Sequence, residues 1–342
     1  MMKCRRRIAV LLAMVALVFL LPFSVLAAGT IDTDRNVSLT ISYKYGSTSL
    51  SGAKFDLYRV AAVDAQGELT VTEPFSGFHV DIRGKNDDAW RRLASTLESY
   101  VLRDNVAVTD SGKTNSQGQL YFPSGQNRLQ PGLYLVTGYR LRKGSYRYEA
   151  APFMVMLPEL DTVSNTWKYD VTVSPKYDRE RIREDEEEDT ITRKVLKVWE
   201  DDGYTSRRPS RITVDLLCDG EVYDTVTLSA ADDWRYTWDD LDEDCSWRVA
   251  ERDVDDDYNV TVTREGITFV MTNTYTRGRT TEIPDGDTPT GTISDNPVPR
   301  AFFGSKLPQT GQLWWPVPVL AAVGLLLIVV GLLRRRGAEH EE

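Results

Sequence analysis

Histidine and cysteine are scarce in this chain, with two histidines and three cysteines in 342 residues. Of these, Cys4 and His340 lie close to the ends, so the long middle holds only His79, Cys218 and Cys245. That inventory excludes a multi-histidine zinc site and a cysteine-rich cluster, and it argues against a histidine-based nucleophilic triad. Neither a G-x-x-x-x-G-K-S/T nor a G-x-G-x-x-G stretch is present, so phosphate-loop and dinucleotide chemistry lack their usual signal. Positive charge is also short, with 41 basic against 51 acidic side chains. Setting aside Lys3, Arg5, Arg6, Arg7, Arg334, Arg335, Arg336, Glu339, Glu341 and Glu342 leaves 41 − 7 = 34 basic and 51 − 3 = 48 acidic groups, a net charge of −14. Such a surface repels nucleic acid and anionic lipid. We therefore expect no nucleic-acid partner, no cofactor, no resident metal and no turnover enzyme. Long apolar runs are absent from the middle and occur only at the two ends.

At the N-terminus, Lys3, Arg5, Arg6 and Arg7 precede the apolar stretch Ile8 to Leu21, followed by Val25-Leu26-Ala27. Basic, apolar and small residues in that order predict a secretory signal peptide over residues 1–28, cut after Ala27 or Ala28. An uncleaved anchor is the alternative. At the other end, Leu307-Pro308-Gln309-Thr310-Gly311 precedes an apolar run from Leu313 to Leu333 and then Arg334-Arg335-Arg336. The run is long enough to span a bilayer as a helix. Trp314 and Trp315 suit one interface, and the arginines suit the cytoplasmic side. This order resembles the L-P-x-T-G cell-wall sorting signal of Gram-positive surface proteins. The resemblance implies that a sortase cysteine attacks the carbonyl of Thr310, releases Gly311 onward, and passes the acyl group to an amine such as that of a peptidoglycan precursor. It places the chain extracellularly in a Gram-positive cell wall, after a transient membrane precursor. The alternative is a single-span membrane protein with a chance pentapeptide.

Between these ends lie about 280 residues, enough for two ordinary domains. Residues 29–177 read mostly as strands. Leu39, Ile41 and Tyr43 alternate with Thr40, Ser42 and Lys44, and apolar stretches recur at Phe55, Leu133 to Val136, Phe153 to Leu157 and Trp167 to Val173. This period of two predicts an antiparallel sandwich. Ala89, Trp90, Leu93, Ala94, Leu97, Tyr100 and Val101 fall instead at helical spacing, which predicts an amphipathic helix over about 87–102, with Asn86 or Asp87 as N-cap. Residues 178–191 contain the run Glu184 to Asp189 and read as an acidic linker. A second β domain is expected over 192–276. Residues 277–306, rich in Thr, Pro, Gly and Asp, read as a disordered stalk ahead of the sorting segment 307–342. The expected fold class is mainly β: two tandem Ig-like antiparallel β-sandwiches, the first with an inserted helix, then the stalk and a C-terminal transmembrane helix.

In the second domain three polar residues share faces with apolar ones. Lys197 lies with Val195 and Trp199, Glu251 with Trp247 and Val249, and Asn273 with Ile267, Phe269 and Met271. Burying a charge alone is costly. A lysine, a glutamate and an asparagine buried together have a chemical escape. Desolvation favours the neutral amine and the protonated acid, the amine can attack the carboxamide, and the acid can shuttle the proton. Lys197 to Gly203, Arg208-Pro209, Asp219-Gly220, Trp234 to Trp238 and Thr272 to Tyr275 resemble the B-type domain of the collagen adhesin family (Cna-B). That resemblance implies an autocatalytic isopeptide bond between Lys197 and Asn273, with Glu251 as proton shuttle. The alternative is an unreactive buried ion pair. Lys194 is the rival lysine, on the opposite face with Leu196 and Val198.

Cys218 and Cys245 continue inward faces at strand ends in an oxidising compartment, so a disulfide and two buried thiols are both open. In the first domain, Trp167 to Lys176 resembles the pilin motif W-x-x-x-V-x-V-Y-P-K, with Ser174 in place of the usual tyrosine. The resemblance implies that Lys176 accepts the acyl group of another subunit during head-to-tail polymerisation. The alternative is an ordinary exposed lysine after a last strand. The expected function is therefore a sortase-anchored structural pilin subunit whose partners are sortase, a peptidoglycan precursor and other pilin subunits. The rival is a stand-alone wall-anchored adhesin for a host or matrix ligand.

Overall fold

The computed structural model describes residues 29–82, 86–126, 128–182 and 190–276. The expected signal peptide, acidic run, stalk and sorting segment, including Leu307 to Gly311, lie outside the described residues. Among the described residues no helix is long and apolar enough to cross a membrane. These residues are 53% strand and 11% helix, so the protein is mainly β.

The first β region begins with β1 (Ser38–Ser42), whose Leu39 and Ile41 are fully buried between half-buried neighbours, as the alternation requires. It continues with β2 (Lys54–Val63), helix α1 (Asp87–Arg103), β3 (Gln119–Phe122), β4 (Gly132–Gly138), β5 (Tyr146–Ala150), β6 (Phe153–Leu157), β7 (Asp170–Val173) and β8 (Tyr177–Arg181). Short unlabelled strands flank these. β1 lies between β3, antiparallel, and β7, parallel. β6, β4 and β2 form a second sheet, and β8 pairs with β5. β8 thus extends the first region four residues into the stretch 178–191 expected to be linker.

The sheet β6-β4-β2 is covered on both faces. One face packs Phe55, Leu57, Tyr134 and Val136 against Leu39, Ile41 and Tyr43. The other packs Val60, Leu133, Leu135 and Met154 against Trp90, Leu93, Leu97 and Val101 of α1. Double coverage explains why Leu133 to Val136 reads as a continuous apolar run rather than an alternation. Gly132 is required at the start of β4, because a Cβ there would come within 2.4 Å of the Ala61 carbonyl oxygen.

The second β region contains β9 (Thr190–Glu200), β10 (Arg211–Cys218), β11 (Glu221–Ser229), β12 (Arg235–Asp242), β13 (Trp247–Arg252), β14 (Tyr258–Glu265) and β15 (Thr268–Tyr275). One sheet runs β12-β9-β15-β14 and the other β11-β10-β13. β9 and β15, the first and last strands, pair in parallel. Val195, Val214, Leu216, Trp247, Val249, Phe269 and Met271 fill the space between the sheets. Ile267, expected to continue the inward face of β15, stands beyond the strand and is 45% exposed.

Helix α1 is capped as expected, with the Asn86 side chain accepting from the Ala89 backbone N–H at 2.8 Å. Its burial is wider than one amphipathic face. Thr96 to Val101 are buried without interruption, including Thr96, Glu98 and Ser99. The reason is that α1 packs on two sides, against the first region and against β13 and β14 of the second. The Thr96 hydroxyl accepts from the Val262 backbone N–H at 2.8 Å, and the His79 carbonyl accepts from that of Val260 at 2.8 Å. Tyr100 packs on Leu217 and Ala250. Arg248, on the outward face of β13, reaches Glu98 at 2.5 Å and Glu149 at 2.8 Å.

Candidate functional site

β9 turns Val195, Lys197 and Trp199 inward, and β15 does the same for Phe269, Met271 and Asn273. Their parallel register sets Asn273 opposite Trp199 and Lys197 opposite Met271, so the two polar side chains are diagonal neighbours on adjacent strands. β13 of the facing sheet supplies Glu251 from across the core. All three residues are at most 3% exposed. The Lys197 Nζ donates to Glu251 Oε2 at 2.5 Å, and the Asn273 Nδ2 donates to Glu251 Oε1 at 3.0 Å. One carboxylate therefore holds both prospective reaction partners. The Asn273 Oδ1 is buried without a hydrogen-bond partner among the described residues. That orphaned acceptor is free to take a proton-bearing donor as charge develops on it.

Burial lowers the Lys197 ammonium from 10.5 to about 8, against the opposing attraction of Glu251. An amine in that range has a usable neutral fraction near physiological pH. The surroundings are aromatic. Lys197 Nζ lies 4.7 Å from the Trp199 ring, which meets Trp234 and Tyr258 edge-on. A cavity of about 190 Å³ lined by Arg211, Asp253, Tyr258, Glu251 and Asn273 adjoins the site. Lys194, the rival lysine, is exposed.

The loop after β9 is closed by Arg208, whose guanidinium grips Asp201 at 2.5 and 3.0 Å. Cys218 and Cys245 are joined as a disulfide with Cα atoms 5.4 Å apart, within the separation that such a bond needs.

The structure sets Lys176 apart from this cluster. It is exposed after β7, and its carbonyl accepts from the Ala151 backbone N–H at 2.9 Å. Beside it runs an apolar groove of about 420 Å³ walled by Trp90, Phe153, Met154, Val173 and Pro175. Ser174, the departure from the pilin motif, is exposed. In the first region Tyr43 is buried between Phe55 and Tyr177, ring against ring edge.

The contacts that sequence reasoning missed lie around α1 and β13. Arg103 donates from Nη1 to the Glu251 carbonyl oxygen at 2.6 Å, and the half-buried Arg248 lies between two carboxylates. The available signal was weak: Arg248 alternates with the inward Trp247 and Val249, as a solvent-facing arginine would.

The second β region thus buries a lysine, a glutamate and an asparagine between its two sheets, and comparison with known proteins finds a likeness over this segment. Residues 193–274 match the family model of the Cna protein B-type domain. The collagen adhesin of Staphylococcus aureus is 33% identical over 85 residues, which are 25% of this chain and 7% of that protein. The chain thus spans a small part of the curated relative it matches. Similar solved structures include a single B repeat unit of the collagen-binding surface protein of Staphylococcus aureus, with 15% identity, 71% of this chain and 100% of that chain covered, and a TM-score of 0.25. The full-length major pilin SpaD of Corynebacterium diphtheriae gives 16%, 71%, 65% and 0.27 on the same measures. The SpaE basal pilin of Lactobacillus rhamnosus GG gives 12%, 68%, 85% and 0.28.

Proposed function

We propose that this protein is a wall-anchored surface protein, a structural pilin subunit, whose second β region closes an internal amide bond between Lys197 and Asn273. The observation that carries the internal bond is the buried triad, in which Glu251 holds the amine at 2.5 Å and the carboxamide at 3.0 Å. Proton transfer from Lys197 to Glu251 leaves a neutral amine beside a carboxylic acid. The amine attacks the Asn273 Cγ, and the acid, which holds the carboxamide at its nitrogen, polarises the unpartnered Oδ1 once the carboxamide turns over. The amine then loses a second proton, the amide nitrogen gains one through Glu251, and the old C–N bond breaks as the new one is completed. Ammonia is the only product lost, and the adjoining cavity gives it a way out. No oxidant, metal or cofactor enters the balance.

The expected outcome is an intact mass of the full chain low by one ammonia. Glu251→Ala should restore that mass, since it removes the proton carrier and the group that aligns both partners. A wild-type chain of full mass, or a Glu251→Ala chain still lacking ammonia, overturns the reading.

The pilin reading draws its support from the exposed Lys176 at the end of a strand with the Trp167 to Lys176 pattern, together with the sorting segment in the sequence. In this reading sortase joins Thr310 of one copy to Lys176 of the next, or to a peptidoglycan precursor. Residues 1–28 are the leader, the stretch before Thr190 is a linker, and 277–306 are the stalk. The adhesin reading is favoured by the likeness to collagen adhesin, and it leaves Lys176 unused. Wall extracts of a producing strain separate the two. A high-mass ladder on denaturing gels that disappears in Lys176→Ala, with the monomer still wall-linked, supports the pilin; no ladder in wild type supports the adhesin.

A further inference from the structure

The internal-amide site does not end at the second β region. Glu251 lies on β13, an edge strand of the sheet β11-β10-β13, which has a strand neighbour on one side only among the described residues. The last turn of α1, an element of the first region, lies near this strand. Arg103 Nη1 donates to the Glu251 carbonyl oxygen at 2.6 Å. Its guanidinium has little freedom to do otherwise. Nε and Nη2 are held by the two oxygens of Asp104 at 2.6 and 2.8 Å, and the group lies 4.9 Å from the Tyr100 ring centre. Tyr100 is itself buried against Leu217 and Ala250, the residue before Glu251.

Residue 251 is consequently held from both ends. Its backbone is tied to α1, and its carboxylate is tied to Lys197 and Asn273. The seat of α1 on the second region is fixed elsewhere too, by the Arg248 bridge to Glu98 and by the Thr96 contact with the Val262 N–H. We propose that Arg103 is a positioning residue for Glu251, so that the amide-forming site is completed by the first β region docking through α1. The proposal rests on the internal-amide reading. A proton carrier works only when held near its productive geometry, and a displacement of about 1 Å can cost on the order of a hundredfold in rate.

The test uses the full chain made by cell-free synthesis, with intact mass followed over time. Arg103→Met keeps the stem over Tyr100 and removes the donors. It is expected to slow ammonia loss by about ten- to a hundredfold. Arg103→Lys restores one donor and should recover most of the rate, which a role in packing alone would not produce. Wild type that never loses ammonia defeats the internal-amide reading, and with it the ground for this proposal. Wild type that loses ammonia while Arg103→Met keeps pace overturns the positioning role alone. So does Arg103→Lys as slow as Arg103→Met, with both folded by circular dichroism. Should Arg103→Met not fold, Asp104→Ala decides instead. It frees the guanidinium, so a slowed reaction supports the proposal and a wild-type rate overturns it.

Discussion

Lys197 is the residue at which burial and charge conflict. Its amine sits at about 8, below the usual 10.5, because desolvation outweighs the pull of Glu251. The sign of the pH effect follows. Between about pH 8 and 10.5 the folded chain binds fewer protons at this lysine than the unfolded chain does, so stability rises with pH across that window. Below pH 8 both states are protonated and the cost of the buried charge is fully present. Asn273→Ala, which cannot form the bond, exposes this effect. Its unfolding free energy should climb by up to about 3 kcal/mol from pH 8 to 10.5. Adding Lys197→Met should remove that climb, as read by chemical denaturation at several pH values. A slope unchanged by the second substitution would place the titration elsewhere. The three residues of this site were legible in the sequence because each interrupts an apolar face of period two. Arg103 was not, because a helix-end arginine usually faces water, and only docking sets it against the Glu251 carbonyl.

At the scale of elements, the pairing of β9 with β15 decides what the amide bond would do. These are the first and last strands of the second region and lie side by side in parallel. A bond between Lys197 and Asn273 closes a loop of about 76 residues, which by analogy with disulfide loop closure stabilises the fold by about 4 kcal/mol. It would also tie the first strand of the region covalently to the last. β4 shows the opposite kind of constraint. Gly132 lies so close to the Ala61 carbonyl that any side chain must push β4 from β2. Gly132→Ala is expected to cost about 1–3 kcal/mol by overpacking, measured from the denaturant midpoint. Helix α1 was readable as an element, down to its Asn86 cap. Its second buried side was not readable, because Thr96, Glu98 and Ser99 are residues that a surface helix would expose.

Over the described residues taken together, the two β regions are joined by polar groups withdrawn from water. Burial opposes ionisation of Glu149, but Arg248, Ser246 and Arg140 outweigh it and hold the carboxyl at about 2. The two carboxylates likewise raise Arg248 above its usual value against the opposing effect of desolvation, so it stays charged. Arg140 and Arg147 add contacts to the carbonyls and acids of the Glu243 to Cys245 turn. Arg248→Met takes from Glu98 its cation and leaves Glu149 with Arg140. Removing one member of a buried ion cluster costs about 3–5 kcal/mol. The expected outcome is a lower midpoint in denaturant, with the two regions unfolding in separate steps where wild type unfolds in one. A variant as stable and as cooperative as wild type would show that the bridge does not couple them.

The sequence by itself determined the mainly β character, the helix with its cap, and the inward triad of Lys197, Glu251 and Asn273. Each follows from local periodicity, which a strand or helix turns directly into a face. Tertiary structure alone decided that the sheet β6-β4-β2 is covered twice, that strand continues to Arg181, and that Cys218 and Cys245 come within bonding reach. It also decided that Arg248 and Arg103 turn inward between regions. These outcomes depend on which surface meets which, at separations such as 27 residues for the two cysteines and 148 for Arg103 and Glu251, and a period of two or 3.6 residues carries no information about partners so far along the chain.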